Sequence, residues 1–275
     1  MLSYRHAYHA GNFADVLKHI VEVEILYYLT QKDKAFHYID THAGGGLYTL
    51  KSSENRRAEY LDGVARLSLT QFPQLADYFA AIDAFNAEES TLYPGSPAFA
   101  QYFLRPQDRS WLFELHSNEV NILRQFAAGD ARVVVQQADG FKGALAQVPP
   151  VSRRGLVLID PPYELKEDYD RVVKTLQQLH RRFATGVYAI WYPVVERSRI
   201  DQIEKALLES GIGQIQLFEL SVKADTEGRG MTGSGMIVVN PPWKLFEFMS
   251  ELLPELTRVL AQGEGAAYRC LQLVD

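Results

Sequence analysis

Several kinds of residue and pattern are scarce in this chain, and each scarcity excludes something. Only Cys270 is a cysteine among 275 residues, so a disulfide framework and a thiolate metal site are both ruled out. No apolar run approaches the roughly 20 residues needed to cross a bilayer. The opening MLSYRHAYHAGN has no apolar centre of the kind a signal peptide carries. These absences predict a cytoplasmic protein with no membrane partner. Positive charge is not in excess either: the formal net charge is −6, which argues against a nucleic acid gripped by the whole surface and leaves local clusters to be weighed. GxxxxGK[ST] does not occur, and the glycine run at residues 44–46 differs in spacing from GxGxxG, so phosphate-cradling and dinucleotide readings are weakened there. Internal repeats and low-complexity segments are lacking.

What is present centres on LVLIDPPY, residues 156–163. An apolar run of this length, stopped by turn formers, predicts a strand buried on both faces of a parallel sheet. Asp160 then stands at the strand's C-terminal end, the edge at which open α/β sheets bind ligands. Pro161 and Pro162 deny the next residues helix and ladder hydrogen bonds, so Asp160 and Tyr163 are expected on a stiff, extended loop.

The rest of the chain alternates helix and strand signals. From Asn12 to about Gln31 apolar residues recur at helical spacing, with Asn12 as N-cap and Asp15, Lys18, His19 and Glu22 on neighbouring faces. AFHYID follows as a strand and ends in Asp40 and THAGGG. Strand, acid and glycines suit a nucleoside cofactor, because glycine lets the backbone approach the ligand, and a flexible turn is the bland alternative. Residues 51–97 break the alternation with helical stripes and read as an inserted helical subdomain, closed by the tight loop YPGSP (93–97). In nucleoside-binding units an acid about 20 residues beyond the glycines takes the ribose hydroxyls. Removing the insertion restores that spacing for Glu114, at the end of WLFEL (111–115).

Alternation then resumes. SNEVNILRQF reads as a helix, ARVVVQQ as a strand, and ADGF places Asp139 at the sheet edge, either to accept from an adenine amino group or to make a routine turn. A helix from Asp168 to Phe183, the strand VYAIWYP, a helix from Arg197 to Ser210, the strand IGQIQLFEL, a glycine-rich loop from Glu227 to Gly235, the strand MIVVN, a helix to about Leu260 and a last strand near Tyr268–Val274 complete the chain. Asn240-Pro241-Pro242-Trp243 mimics the DPPY pattern but follows the penultimate strand, and reads as a helix entry. The pairs Arg56/Arg57, Arg153/Arg154 and Arg181/Arg182 are solvated faces or phosphate contacts.

DPPY carries a specific chemistry. The N6 of adenine is a poor nucleophile while its lone pair is delocalised into the ring. Asp160 can accept one N–H and the Pro161 carbonyl the other, letting the nitrogen pyramidalise. Tyr163 offers a face on which the base can stack, worth ~1–3 kcal/mol. With the glycine loop on an earlier strand, this tetrapeptide resembles the amino-methylating branch of the S-adenosyl-L-methionine-dependent methyltransferases.

The whole chain resembles one family, the bacterial 23S ribosomal RNA adenine-N6 methyltransferases of the RlmJ type. The likeness runs through YRHAYHAGNFADVLKH, DTHAGGG, YPGSP, ADGF, VSRRGLVLIDPPYE, ATGVYAIWYPVV and RGMTGSGMIVVNPPWKL. It implies a Rossmann-like class I methyltransferase sheet with an inserted helical subdomain and an N-terminal tail that closes over the cofactor. It also implies His19, His42, Ser96, Glu114, Asp139, Gly140 and Asp160 as cofactor contacts beside Gly44, Asp160 as the catalytic residue and Tyr4 as a substrate contact. As part of such a lid, His6 and Lys18 would approach the sugar or phosphate of a base extruded from RNA. A monomer acting on protein-free or early-assembly 23S ribosomal RNA is the implied context. Leu47 departs from the family, which has a basic residue after the glycines. Two other readings stay open on the sequence: a DNA adenine-N6 methyltransferase, and a non-enzymatic protein for the use of external DNA.

Overall fold

Each apolar run that ends in turn formers becomes a strand. In chain order these are β1 (His37–Asp40), β2 (Leu47–Thr49), β3 (Leu92–Pro94), β4 (Arg109–Phe113), β5 (Val133–Gln136), β6 (Gly155–Ile159), β7 (Val187–Val194), β8 (Ile215–Ser221), β9 (Gly233–Val239) and β10 (Ala267–Val274). The structure is a computed structural model that describes residues 6–50, 58–86, 91–225 and 230–275. Eight strands form one sheet in the order β10-β8-β9-β7-β6-β1-β4-β5, and β2 pairs with β3 in a separate ribbon. Pairs from β5 through β4, β1 and β6 to β7 are parallel. β9 runs antiparallel to both β7 and β8, and β10 antiparallel to β8.

Helices cover both faces: α1 (Phe13–Thr30), α2 (Ala76–Asp83), α3 (Ser96–Phe103), α4 (Ser117–Phe126), α5 (Gly140–Gln147), α6 (Glu167–Arg182), α7 (Arg197–Leu208) and α8 (Leu245–Leu260). β6 shows how the sheet divides the core. All five of its residues are buried; Leu156 and Leu158 join the cluster built with α1, α3 and α8, while Val157 and Ile159 join that of α5, α6 and α7. Burying each such side chain contributes about 1.5–3 kcal/mol, so the continuous apolar run predicts a strand covered on both sides.

α1 begins where expected, because the Asn12 side chain accepts from the N–H groups of Ala14 and Asp15. It is no surface helix, however. Asp15, Lys18, His19 and Glu22 are buried with its apolar stripe, so its polar side is turned into the molecule.

The described part of the interruption is helical in short pieces, with 3-10 helices at Glu59–Asp62, Val64–Arg66 and Pro73–Leu75 and the α-helix α2. Two expectations are corrected. YPGSP is not a closing loop: Tyr93 and Pro94 belong to β3, and Ser96 and Pro97 open α3, where proline fits the first turn. Gly233 and Gly235 lie inside β9. A Cβ on Gly235 would fall 2.2 Å from the Tyr192 ring, so glycine serves packing there and not flexibility. Residues 226–229 of the expected loop lie outside the described residues.

Candidate active site

The strand order decides where ligands can enter. From β1 the chain passes to β4 on one side, and from β6 to β7 on the other, so the loops after β1 and β6 diverge and leave a crevice at their C-terminal ends. A cleft of about 290 Å³ opens there, lined by His42, Gly44, Ser96, Glu114, Asp139, Gly140 and Asp160 among others. Seven of the predicted cofactor residues thus meet in one place.

Their local geometry is preset. Gly44 adopts φ +60°, a conformation for which glycine is suited, and its N–H donates to Glu114 Oε2 at 2.9 Å. The N–H of His116 donates to Glu114 Oε1 at 2.7 Å. The acid following β4 is therefore tied to the glycine loop following β1, as the spacing argument anticipates. Gly140 allows the start of α5 to touch that loop, since a Cβ would sit 1.7 Å from the Thr41 carbonyl oxygen. Asp139 caps α5 by accepting from the N–H groups of Phe141 and Lys142, and its Oδ2 pairs with Arg171 Nη2 at 3.0 Å. It is both the helix cap and a wall of the cleft.

Below the cleft Asp40 is fully buried. Burial pushes its carboxyl up to about 6, against hydrogen bonds from Ser96 Oγ, His42 N–H and Tyr38 OH. Burial likewise pushes the His42 imidazole down to about 4, so it is neutral at pH 7.

A second cavity, about 370 Å³, adjoins the first and shares His6, Lys18, Asp160, Pro162, Glu164 and Trp191 with it. Lys18 Nζ is 2.7 Å from Asp160 Oδ2 and 3.1 Å from Asp15 Oδ1, and His6 Nε2 donates to Asp15 Oδ2 at 2.8 Å. Tyr163, Tyr169 and Trp191 line this second space. The DPPY loop is less extended than its prolines suggest: Tyr163 turns back with φ +50°, and its hydroxyl donates to the Trp191 carbonyl at 2.6 Å. Its ring packs 4.6 Å from Tyr169. Pro161 lines the first cavity beside Asp160.

Some predicted residues lie elsewhere. His19 is wholly buried, with Nδ1 bonded to the Tyr93 hydroxyl at 2.9 Å and the ring 4.8 Å from Phe99, and lines neither cavity. Tyr4 lies outside the described residues, as do Arg56 and Arg57. Arg154 and Arg182 bind backbone carbonyls of Lys34, Leu29 and Leu145. The NPPW decoy is separated by topology: β9 runs against β7, with Val239 opposite Tyr188 near the start of β7, so Asn240 emerges at the far edge of the sheet. Its side chain binds the carbonyls of Ala184 and Gly186, and α8 starts only at Leu245, after the prolines.

Sequence reasoning overlooked Asp15, Arg171 and Trp191 as parts of the site. Asp15 had a signal, since its spacing of three and four from Lys18 and His19 places the three side chains together on α1. Trp191 had none beyond its place near the end of β7.

Residues 33–271 match the family model described as ribosomal RNA large subunit methyltransferase D, RlmJ. The chain belongs to the RlmJ family. It is 50% identical to ribosomal RNA large subunit methyltransferase J of Haemophilus influenzae and 49% identical to that of Escherichia coli K12, in each case over 97% of both chains. A crystal structure of a Legionella pneumophila protein, 35% identical, superposes with a TM-score of 0.87 over 96% of this chain and 98% of that one. The sheet is that of the Rossmann-like class I methyltransferases. Among the described residues no helix is long and apolar enough to cross a membrane.

Proposed function

We propose that this protein methylates the N6 amino group of one adenine in 23S ribosomal RNA, with S-adenosyl-L-methionine as donor, acting as a monomer on protein-free or early-assembly RNA. The observation that carries this reading is the position of Asp160 and Pro161, at the end of the central strand, with Asp160 shared by two cavities. One cavity suits the donor and the other the base, and the acid stands between them. The curated relatives, named as large-subunit ribosomal RNA methyltransferases, support RNA over DNA.

The donor set of the cleft fits S-adenosyl-L-methionine. Glu114, already oriented by two backbone N–H groups, keeps lone pairs for ribose hydroxyls. Gly140 leaves room where any side chain would meet backbone. Asp139 and Gly140 would flank the adenine end, and His42 and Ser96 the amino-acid end. When bound, the cofactor supplies an electrophilic methyl group on a sulfonium.

The protein's own part is placement. Lys18 holds Asp160 Oδ2, so an incoming amine would donate to Oδ1 and to the Pro161 carbonyl. Restraining both N–H groups frees the nitrogen lone pair, and alignment of the reactants can contribute ~7–11 kcal/mol. Asp160 offsets the positive charge that develops on the amine. Tyr163, Tyr169 and Trp191 give the second cavity aromatic walls for a base extruded from RNA.

The test is methyl transfer from isotopically labelled S-adenosyl-L-methionine to deproteinised 23S RNA from cells lacking this gene, with adenine-containing DNA in parallel. The expected product is N6-methyladenosine at one RNA position. Label in another nucleoside, or transfer to DNA alone, would overturn the proposal.

A further inference from the structure

Asp15 is the buried acid at which the wall between the two cavities is assembled, and the transfer chemistry above makes no use of it. Its side chain is 3% exposed, in the first turn of α1. Oδ2 accepts from His6 Nε2 at 2.8 Å and from the Gly11 N–H at 2.9 Å. Oδ1 faces Lys18 Nζ at 3.1 Å and His19 Nε2 at 4.0 Å. Burial raises this carboxyl, and the charges of His6, Lys18 and His19 with the His6 hydrogen bond more than reverse it, holding it well below the usual carboxylate range. The group is an anion.

Charge counting gives it a purpose. Lys18, 5% exposed, touches Asp160 more closely than it touches Asp15, at 2.7 against 3.1 Å. A lone Lys18–Asp160 pair would present no net charge to either cavity. With Asp15 as a second anion, the Asp15–Lys18–Asp160 chain carries one net negative charge wherever the His6 and His19 imidazoles beside Asp15 are uncharged. Both species expected at the transfer point are cations: a sulfonium on one side and an amine that becomes positive as its new bond to carbon forms. Charges in so enclosed a place interact far more strongly than in water.

Resting on the methyltransferase reading, we propose that Asp15 is a positioning residue that fixes Lys18 and His6 in the wall between the cavities and, by offsetting Lys18, leaves Asp160 with negative charge to spare for the sulfonium. Asp15 touches neither reactant in this account. Asp15 itself lines the second cavity, and its effect on the first passes through Lys18 and Asp160, which line both.

The consequence is a preference that depends on the ligand's charge. S-adenosyl-L-methionine and its demethylated product, S-adenosyl-L-homocysteine, differ at sulfur by one positive charge and one methyl group. Calorimetric titration of the full chain with each, at pH 8, where an ordinary imidazole is neutral, reads their affinity ratio. Asp15→Asn keeps the shape of the side chain and removes its charge. It should lower the affinity for the sulfonium form on the order of tenfold while leaving the affinity for the thioether form within about twofold. Asp15→Asn with Lys18→Met removes one charge of each sign, restores the net count and should return the ratio to within about threefold of wild type. The double variant stays informative where the single one is too unstable to titrate.

Equal loss of affinity for both forms in Asp15→Asn would mark a merely structural role and overturn the proposal. So would an unchanged ratio, or a double variant whose ratio stays low. A wild-type protein that binds neither ligand would overturn the methyltransferase reading, and this inference with it.

Discussion

Lys18 Nζ and Asp160 Oδ2 lie 2.7 Å apart although 142 positions separate them in the chain. The first helix and the end of the central strand thus meet in one ion pair, and that pair divides the two cavities. Such contacts cost much to leave half-made, since a buried charge stripped of its partner destabilises by about 3–5 kcal/mol. Lys18→Met, which leaves Asp15 and Asp160 facing each other, should lower stability by about 3 kcal/mol. Urea denaturation at pH 7 reads this directly, and an unchanged midpoint would show that the pair is not formed in solution.

Asp160 and Asn240 should separate cleanly by mutation. Asp160→Ala removes the proposed acceptor for the amine and should reduce transfer on the order of 10³-fold. Asn240 sits at the opposite sheet edge with φ +51°, and its side chain binds two carbonyls. Asn240→Ala should therefore cost about 1–2 kcal/mol of stability and leave the transfer rate at permissive temperature within about twofold of wild type. The paired measurement is initial rate and thermal midpoint; activity lost with Asn240 and kept without Asp160 would reverse the assignment of the two motifs.

The sequence carried this distinction only in part. The apolar run and its DPPY located the central strand, because burial on both faces leaves a signature in residue type. Asn12 located the start of α1, because a cap is a local interaction. The far-edge position of NPPW was not legible locally, since it follows from the antiparallel insertion of β9 between β7 and β8, and nothing in GSGMIVV records the direction of its neighbours. The same reason hid Asp15. Helical spacing put it beside Lys18, but the partner that makes Lys18 matter arrives from β6. Residues 93–97 misled for another reason: proline and glycine mark both a loop and the first turn of a helix, and only the pairing of β3 with β2 decides between them.

Glu24 offers a test of linkage away from the site. Burial, and after it the charge of Asp77, pushes its carboxyl up to about 7 from 4.5. An acid whose folded value is raised stabilises the fold below its unfolded value, and that stability is lost as pH rises through the folded one. Wild type should therefore weaken relative to Glu24→Gln between pH 4.5 and 7, by on the order of 2 kcal/mol. Denaturation midpoints of both proteins at pH 4.5 and pH 8 give the comparison, and parallel behaviour across that window would refute the linkage.

Gly140 tests the closeness of the two loops beneath the cleft proposed for the cofactor. An added Cβ meets the carbonyl oxygen, carbon and Cα of Thr41, at 1.7, 2.5 and 2.7 Å. All three are backbone atoms that cannot rotate aside. Gly140→Ala must push α5 from the loop after β1, so a loss of about 2–3 kcal/mol is expected, together with weaker cofactor binding. Gly129→Ala meets no atom within 4 Å but has φ +85°, and should cost only about 1 kcal/mol. Thermal midpoints in that order support the packing argument, and equal midpoints contradict it.

Glu114 completes the contrast with Asp15. Its two oxygens already accept from Gly44 and His116, so Glu114→Gln turns an amide NH₂ toward one of these N–H donors. The loop must shift or lose a hydrogen bond, and leaving a donor unsatisfied costs about 1–3 kcal/mol. A ribose-binding acid also loses its charge-assisted bonds to the hydroxyls. Both effects act at the nucleoside end, which the sulfonium and thioether forms of the cofactor share. Affinity for the two should therefore fall together, by roughly 10- to 100-fold, with their ratio kept. A change in the ratio on Glu114→Gln would place the acid near the sulfur, and the cofactor would then have to lie in the cleft in the opposite sense.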